Sequence, residues 1–555
     1  MPHSEATIPA VAPVLAGATA TVSGSGAAAE VLRIHLDALG ANVILGDLPH
    51  GVAATAKLAL PDGTRRELTV DWAGPVAEPV LTNETAVQAI CGIMHVNGRR
   101  AGRPRGLSLD YCETAAGALG ATALLASLLT APGDFARVRT SVAEAALLSI
   151  SQYLAAAGAD DPEAVDLAPG GPPFTSADGV RFEIESLQPE PWGVFWTTLG
   201  AEPKAWRKGW RPFQFRYATA TAPLSGNLHD TTRAHSFDAI RAAAAGSGVQ
   251  VCRLYSMTES ETPSPHSLPA PWTVRPVPNS PLAQPDRCRG TLDSPLGGLT
   301  VLEAGRRVQA PLAAHLLRLL GADVTRVEPP GGDPLREMPP CSGDLSARWL
   351  ALNRGKQAAE FDIKSAADRE RLRTLAADSD VFLHNWAPGK AEELELAAAD
   401  LPPGVVYVYT SGWSGLDFAD LPPGTDFMVQ ARTGLAELVG PPCAPPAPSL
   451  MTLLDVLGGI LGAEAAVAGL LLRQRGRTGV AVESSLLSAS NTLRRCGVRP
   501  QTSDRQPIPD GDGWTTGAVA VNTDLGDLLA DARFAAVIGR DEFGCPALSA
   551  PWSIA

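Results

Sequence analysis

One acidic residue occupies the same place in two stretches of this chain that share a spaced set of residues. The acid is Asp455 in one stretch and Glu113 in the other, and the shared positions are all separated by 342 residues. The matched pairs are Gln88/Gln430, Ala89/Ala431, Gly92/Gly434, Gly98/Gly440, Gly117/Gly459, Gly120/Gly462, Ala126/Ala468, Leu128/Leu470 and Leu129/Leu471. A common offset over so many positions indicates an internal duplication. A carboxylate kept in both copies can act as a nucleophile or, less specifically, can cap a helix.

The sequence around these acids predicts strands and helices in alternation. In the second copy an apolar strand at 299–302 precedes a helical pattern that ends at 315–320, and a glycine turn leads to a second strand. The alternation continues with strands at 358–361, 380–383 and 405–409 and a helix at 366–376, and the first copy opens in the same way at 31–45. This order is typical of parallel βαβ units, so we predict an α/β fold with a doubly wound parallel sheet.

Proline-rich stretches and a tryptophan-rich region suggest where the domains begin and end. We predict a shortened first copy at 1–160, a smaller α+β domain at 161–262, a Pro-rich linker at 263–293, a second copy with the main site at 294–498, and an unassigned C-terminal segment at 499–555. The smaller domain contains Trp192, Trp196, Trp206 and Trp210, which we interpret as core residues.

The composition argues against several kinds of partner. A formal net charge of −14 disfavours nucleic acid, because a polyanion needs a basic surface. The 8 cysteines are scattered without a C-x-x-C pair, which predicts reduced thiols in a cytoplasmic protein and no metal site. The long apolar segment 453–472 contains Asp455 and Glu464, so we expect a buried helix there and no membrane span.

A series of short motifs follows one order through the second copy. They include Pro295-Leu296-Gly297-Gly298, Gly321-Ala322-Asp323-Val324, Asn353-x-x-Lys356, Asn385-Trp386-x-Pro388-Gly389 and Asp426-x-x-x-Gln430-Ala431. With these motifs the second copy resembles the class III CoA-transferase family, the group of formyl-CoA transferase, carnitine CoA-transferases and acyl-CoA racemases. The resemblance implies the CoA-transferase fold and transfer of coenzyme A from an acyl-CoA to a free carboxylic acid, through enzyme-bound anhydride and thioester intermediates. Coenzyme A and acyl-CoA would then be substrates, with no permanently bound cofactor.

The resemblance also implies roles for individual residues. Asp455 takes the place of the nucleophile and Gln309 that of a polar contact to the reacting acyl group, while a helix cap and a solvated turn residue are the alternatives. The residues expected on the CoA side are Val308, Asn353, Lys356, Lys364, Asn385 and Trp386. The lysines would meet phosphates as point charges, or else be solvated surface charges, and the tryptophan would pack on the adenine or fill the core.

The first copy resembles the same family with its middle missing, because nothing between 50 and 85 supplies an Asn-x-x-Lys segment. We therefore expect Glu113 to be non-catalytic and residues 160–260 to serve the site around Asp455. The expected assembly is a homodimer or an intramolecular pseudo-dimer that acts on acyl-CoA and carboxylic acids and binds neither nucleic acid nor membrane.

Two other functions stay open from the sequence. An acyl-CoA racemase or isomerase is the alternative enzyme, although Thr425 stands where the racemase branch has a histidine base. A pseudoenzyme that binds acyl-CoA without turnover is the alternative from another class.

Overall fold

Two β-sheets, one from each copy, and a smaller α+β region account for most of the chain. The structure is a computed structural model that describes residues 11–555 except 48, 131–134, 261, 263–269, 282–289, 403, 415–420, 443, 477 and 499–504. The strands are β1 (Thr19–Ser23), β2 (Asn42–Gly46), β3 (Val52–Ala59), β4 (Arg65–Asp71), β5 (Phe135–Ser141), β6 (Phe174–Thr175), β7 (Arg181–Glu185), β8 (Gln250–Arg253), β9 (Trp272–Pro281), β10 (Thr300–Ala304), β11 (Asp323–Glu328), β12 (Cys341–Ser342), β13 (Leu345–Ser346), β14 (Gln357–Glu360), β15 (Val381–His384), β16 (Val406–Ser411), β17 (Thr478–Ser485), β18 (Ile508–Asp510), β19 (Gly513–Thr516), β20 (Val519–Ala520), β21 (Ile538–Arg540), β22 (Pro546–Leu548) and β23 (Ser553–Ile554).

Helices connect and cover these strands. They are α1 (Ala27–Ala38), α2 (Glu84–Ile90), α3 (Ile93–Gly98), α4 (Tyr111–Ala126), α5 (Val142–Ser149), α6 (Ser151–Ala157), α7 (Pro189–Thr198), α8 (Pro203–Thr219), α9 (Gly226–Arg233), α10 (Phe237–Ser247), α11 (Gln309–Leu319), α12 (Ala347–Asn353), α13 (Ala366–Ala377), α14 (Lys390–Glu393), α15 (Asp426–Arg432), α16 (Leu435–Val439), α17 (Leu453–Gly476), α18 (Leu486–Cys496) and α19 (Leu525–Ala530).

The sheet of the second copy confirms the predicted doubly wound fold. Its order is β14-β11-β10-β15-β16-β17-β9, and the first six strands are parallel. Chain order reverses between β10 and β15, and in open α/β sheets ligands bind in the crevice at the carboxyl ends of such a pair. All four residues of β15 are buried, as expected for a central strand whose two faces are both covered.

The sheet of the first copy has the order β2-β1-β3-β4-β5-β23. In place of a parallel strand like β15 it has β3, which runs antiparallel to both β1 and β4. An antiparallel strand needs only a short connection, so it can replace the missing crossover. Buried and more exposed residues alternate along β4, which indicates one face on the core and one toward solvent.

The structure confirms the internal duplication. Helices α2 and α15 keep the offset of 342 seen in the sequence, as do the first residues of α4 and α17. The first residues of α4 and α17 contact each other, since the Tyr111 hydroxyl donates to the carbonyl oxygen of Leu453 over 3.2 Å. Strands β1 and β10 and strands β2 and β11 correspond at a common, shorter offset, because the middle segment is absent from the first copy.

The two copies exchange their last strands. The chain leaves the smaller region through β9, which pairs antiparallel with β17 of the second copy, and it ends in β23, which pairs antiparallel with β5 of the first. Within the linker predicted at 263–293, residues 272–281 thus form a strand, while 263–269 and 282–289 lie outside the described residues. Strand β9 contains prolines because an edge strand tolerates prolines that a central strand does not.

The smaller region has its own core beneath the sheet β6-β7-β8. Trp192 and Trp196 are fully buried there, and Trp206 and Trp210 pack against the same cluster, which confirms that they are core residues. The domain boundaries themselves remain predictions.

Two helices are long and apolar enough to cross a membrane by composition alone. They cover Tyr111–Leu129 and Leu453–Gly476, and 100% and 94% of their most apolar windows are buried inside the protein. They contact each other and the two sheets, so they are core helices, as predicted for 453–472.

Candidate active site

Asp455 lies in the first turn of α17, but a different residue caps that helix. The Asp426 side chain at the start of α15 accepts hydrogen bonds from the backbone N–H groups of Leu454 (2.7 Å) and Asp455 (2.8 Å). A carboxylate at this position satisfies N–H groups that have no partner within the helix. The capping role considered for Asp455 in the sequence is therefore performed by Asp426, which leaves the Asp455 side chain available for chemistry.

Gln430 holds Asp426 in this position. Its side-chain amide donates to the Asp426 carboxylate and to the carbonyl oxygen of Ser449 (3.0 Å), and its own oxygen accepts from the Ser449 N–H (2.9 Å). The Ser449 hydroxyl in turn donates to Asn97 of the first copy over 2.8 Å. The Asp-x-x-x-Gln spacing places both side chains on one face of α15, so the motif fixes the loop that precedes α17.

Gln309 begins α11 and lies against the first turns of α17. Its side-chain amide donates to the Ser411 carbonyl oxygen at 3.4 Å, and the residue is buried. A Cβ atom on Gly458 would lie 2.9 Å from that amide nitrogen, and one on Gly459 would lie 2.9 Å from the Gln309 carbonyl oxygen. The glycine pair after Asp455 therefore permits a close approach that places Gln309 one turn from the acid.

The Asp455 carboxylate is in an unfavourable place for a negative charge. The residue is half-buried, and within the described residues its carboxylate oxygens have no hydrogen-bond partner. Burial raises the pKa of the Asp455 carboxyl above its usual range, Asp426 raises it further, and Arg307 opposes the shift. A carboxylate that is poorly solvated and not engaged in capping is a stronger nucleophile than one on the surface.

Glu113, the counterpart of Asp455, is engaged by the protein itself. It is buried, and its Oε1 accepts from the backbone N–H of Ala28 in the first turn of α1 (3.3 Å). Ala28 corresponds to Gln309. A Cβ atom on Gly117 would lie 2.9 Å from the Ala28 carbonyl oxygen, the same distance as from a Cβ atom on Gly459 to the Gln309 carbonyl oxygen. Glu84 accepts from the Glu113 N–H over 2.9 Å, just as Asp426 accepts from Asp455. The framework is shared, but the longer acid reaches the helix N-terminus and Gln309 has no amide counterpart.

Three of the residues predicted on the CoA side lie at the switch point of the second sheet. Val308 is buried just before α11. Asn385 follows β15 and bridges to the turn after β10, because its side chain accepts from the Arg306 N–H (2.9 Å) and donates to the Arg306 carbonyl oxygen (3.0 Å). Trp386 is half-buried and packs edge-on against Phe382 with ring centroids 5.8 Å apart. Lys364 is exposed beyond the end of β14, at the same edge of the sheet.

The contacts of Lys356 contradict the expectation that its ammonium group binds a phosphate. Its Nζ donates to Glu303 (2.7 Å), to the carbonyl oxygen of Pro311 (2.8 Å) and to Asn353 (2.9 Å), and its side chain is 1% exposed. Burial lowers the pKa of Lys356 to about 8, against the opposing effect of Glu303. Its three protons are thus used inside the protein, and Asn353, also buried, belongs to the same network.

The smaller region covers α15 and therefore the approach to Asp455. Glu185 at the end of β7 accepts from the Thr425 hydroxyl (2.8 Å), one residue before Asp426, and is paired with Arg216 of α8. The Arg216 guanidinium lies 4.8 Å from the Phe427 ring centroid. Residues 160–260 therefore contact the segment that positions the acid.

Sequence reasoning missed Arg307 and the smaller region's Tyr217, both of which are close enough to influence Asp455. Arg307 is two residues before Gln309, a position that alone suggests a site residue. The positive φ of 60° that directs its side chain has no signal in the sequence. Within the part of the chain that the structure describes, no three His, Cys, Asp or Glu side chains are grouped to hold a metal ion.

Comparison with known proteins gives matches to part of the chain. Succinyl-CoA:glutarate CoA-transferase from Mus musculus is 32% identical over 200 residues, which is 35% of this chain and 46% of that protein. Acetyl-CoA:oxalate CoA-transferase from Acetobacter aceti is 29% identical over 201 residues, 35% of this chain and 52% of that protein. The matched segments thus span about half the length of these relatives. A solved CAIB/BAIF family protein from Brucella suis is 26% identical over 44% of this chain and 73% of its own, with a TM-score of 0.37.

The family model described as CoA-transferase family III matches the chain twice, over residues 73–272 and 296–513. The first match covers the Glu113 helix and the smaller region, and the second covers the six parallel strands of the second sheet and helix α17, which carries Asp455. Because the two matches cover more than half of the sequence, the protein belongs to CoA-transferase family III, as a chain in which the family's pattern occurs in two copies.

Proposed function

We propose that the protein transfers coenzyme A from an acyl-CoA thioester to a free carboxylic acid, with one working site per chain. The observation that carries the proposal is the contrast between the two acids. The Asp455 side chain does not cap its helix, is half-buried and lies one turn from Gln309. Glu113 instead accepts a hydrogen bond from Ala28, the residue that stands in the place of Gln309.

In the proposed first half-reaction an Asp455 oxygen attacks the carbonyl carbon of the acyl-CoA. The C–S bond breaks with both electrons going to sulfur, which gives a mixed anhydride and a CoA thiolate. The thiolate then attacks the Asp455 carbonyl carbon and expels the donor acid as its carboxylate, so that CoA is held as a thioester of Asp455. Each step consumes one anion and releases one, and no net proton transfer is needed.

In the second half-reaction an oxygen of the acceptor carboxylate attacks the Asp455 thioester and releases the thiolate. The thiolate then attacks the acceptor's carbonyl carbon in the new anhydride, and Asp455 leaves as a carboxylate. Every attack gives a tetrahedral oxyanion. The Gln309 side-chain amide and the first-turn N–H groups of α11 lie beside the helix turn that carries Asp455, where they can stabilise that charge.

CoA would lie across the switch point of the second sheet, between the turn after β10 and the turn after β15. Val308, Asn385 and Trp386 are at this crevice, and Lys364 is an exposed lysine at the same edge. Lys364 is therefore the lysine we assign to a CoA phosphate, in place of Lys356.

Trapping of the intermediate tests the proposal. The protein is incubated with succinyl-CoA or acetyl-CoA, and the adduct is located by intact mass and by peptide mapping after borohydride reduction of the acyl group. We expect one CoA adduct per chain, on the peptide that contains Asp455 and not on that of Glu113. An adduct on Glu113, or tight acyl-CoA binding with neither adduct nor transfer to oxalate, succinate or glutarate, would overturn the proposal.

The rate of adduct formation should rise with pH across a range above that of an ordinary aspartate. The nucleophile is the carboxylate, and burial together with Asp426 raises the pKa of Asp455, so the reactive fraction grows as pH increases. Asp455 and Asp426 interact, so the rise of the rate with pH reflects the titration of the two carboxyl groups together. Single-turnover rates with saturating succinyl-CoA between pH 5 and 9 measure it, and a rate that is flat above pH 5 would contradict the assignment.

A deuterium-exchange experiment distinguishes the alternative enzyme, an acyl-CoA racemase. Exchange of an α-proton for deuterium in an acyl-CoA, without any acceptor acid, would indicate racemase chemistry. Thr425 cannot supply the base that such exchange requires.

A further inference from the structure

Arg307 is in the turn that joins β10 to α11, with a positive φ of 60°. The backbone of the preceding residue is fixed by its two hydrogen bonds to Asn385. The Arg307 guanidinium lies 5.6 Å from the ring centroid of Tyr217, which belongs to α8 of the smaller region. A non-glycine residue in this backbone region is held there by its surroundings, so the direction of the side chain is set by the fold.

The first copy shows how close position 307 is to the acid. Arg307 corresponds to Gly26, as Gln309 corresponds to Ala28 and Asp455 to Glu113. A Cβ atom on Gly26 would lie only 1.7 Å from the Glu113 Oε1 atom. In the first copy the acid therefore fills the space in which a side chain at this position would begin. The backbone at this position differs in the second copy, where φ is 60° at Arg307 and −84° at Gly26, so the two positions direct a side chain differently.

Arg307 also lines a cleft, open to solvent, between the second copy, the smaller region and the first copy. Two other arginines line it, but each is neutralised by the protein. Arg326 is paired with Glu303, Glu328 and Asp333, and Arg348 with Glu163. Among the described residues no carboxylate forms an ion pair with Arg307, whose side chain is exposed to the cleft. Of these three arginines Arg307 is therefore the one without an ion pair in the described residues, and its charge acts on Asp455, whose pKa it lowers.

Resting on the proposed function, we propose that Arg307 binds the reacting carboxylate of the acceptor acid. When Asp455 is free, its own negative charge faces the guanidinium. When Asp455 carries CoA as a thioester, that charge is gone, and an incoming carboxylate replaces it. A guanidinium presents parallel N–H donors that match a carboxylate, so it would hold the acceptor oxygens beside the thioester carbonyl carbon that they attack.

Steady-state kinetics of Arg307→Gln test the inference, with acetyl-CoA or succinyl-CoA as donor and oxalate, succinate or glutarate as acceptor. We expect KM for the acceptor to rise about tenfold or more, with KM for the acyl-CoA changed less than about twofold. Arg307→Lys should recover part of the acceptor affinity, because it keeps the charge but loses the paired donors. Arg306→Gln is the matched control, since it removes a neighbouring exposed cation and should leave the acceptor KM unchanged.

The outcomes distinguish this inference from the proposed function. A wild-type protein that forms the adduct and transfers CoA, with an Arg307→Gln variant whose acceptor KM is unchanged, overturns the role of Arg307 alone. Equal increases for Arg306→Gln and Arg307→Gln also overturn it, because they indicate a general loss of positive charge. A wild-type protein that transfers CoA to none of the acids removes the proposed function and this inference with it.

Discussion

Asp455→Asn should lower kcat for CoA transfer by about 10³-fold or more. The amide cannot form the anhydride, and removal of a covalent nucleophile leaves only the contribution of binding and oxyanion stabilisation. The Asp426 cap is made to backbone N–H groups, so the substitution should not disturb the start of α17. The measurement is the rate of new thioester formation, together with the loss of the CoA adduct in intact mass.

Glu113→Gln is a control that the duplication itself provides. Glutamine keeps the oxygen that accepts from Ala28, so kcat should stay within about twofold of the wild-type value. Asp455→Ala should be as inactive as Asp455→Asn, which excludes recovery of aspartate by deamidation as a source of residual rate. An Asp455→Asn protein that transfers CoA at the wild-type rate, or equal losses at both positions, would remove Asp455 from the role of sole nucleophile.

The asymmetry between the copies explains why one framework supports one site. In both copies a glutamine donates to a carboxylate that in turn accepts from a backbone N–H of the core helix. The pairs are Gln430 and Asp426 in the second copy and Gln88 and Glu84 in the first. In the described residues the second copy alone has a parallel crossover strand, β15, next to its first strand, and hence a crevice at a switch point. In the first sheet the strand at that place is β3, which runs antiparallel to β1. The carboxyl ends of β1 and β3 therefore lie at opposite edges of the sheet.

Much of the second copy could be predicted from local patterns. The helices and strands at 299–409 lie within a few residues of their predicted places, because apolar periodicity and glycine turns reflect local geometry. The partners of strands are another matter. Strand β23 pairs with β5 and β9 with β17 across long stretches of sequence, and nothing in a short edge strand specifies its partner. For this reason the linker strand and the role of the C-terminal segment were missed.

The candidate site divides in the same way. Asp455, Gln309 and the Asp-x-x-x-Gln motif could be identified because each depends on spacing along one element or on a family motif. The burial of Lys356 could not be predicted, since its partner Glu303 is 53 residues away near the end of β10. Whether a lysine is buried or exposed here depends on the packing of α11 and α12, which local sequence does not specify.

Glu303→Gln should lower the free energy of unfolding by about 3–5 kcal/mol, the usual cost of removing one member of a buried ion pair. Glu303 is fully buried and contacts both Arg326 and Lys356. Arg326 retains Glu328 and Asp333, so the greater loss falls on Lys356. Burial already lowers the pKa of Lys356, and without Glu303 it falls further. A neutral lysine costs less to bury, so the destabilisation should decrease as pH rises from 6 to 9.

Urea unfolding at several pH values measures this effect, with a compensating variant as the decisive comparison. Glu303→Gln/Lys356→Met removes the unpaired charge together with its partner and should recover part of the lost stability. Glu370→Gln, which breaks an exposed pair with Arg373, should leave the urea midpoint unchanged. If Lys356 bound a CoA phosphate instead, Lys356→Met would raise KM for acyl-CoA without changing stability, and Glu303→Gln would cost no more than a surface substitution. That pattern would return Lys356 to the CoA site, whereas the expected one makes it a structural cation that holds the turn after β10, and with it Arg307 and Gln309, against α12.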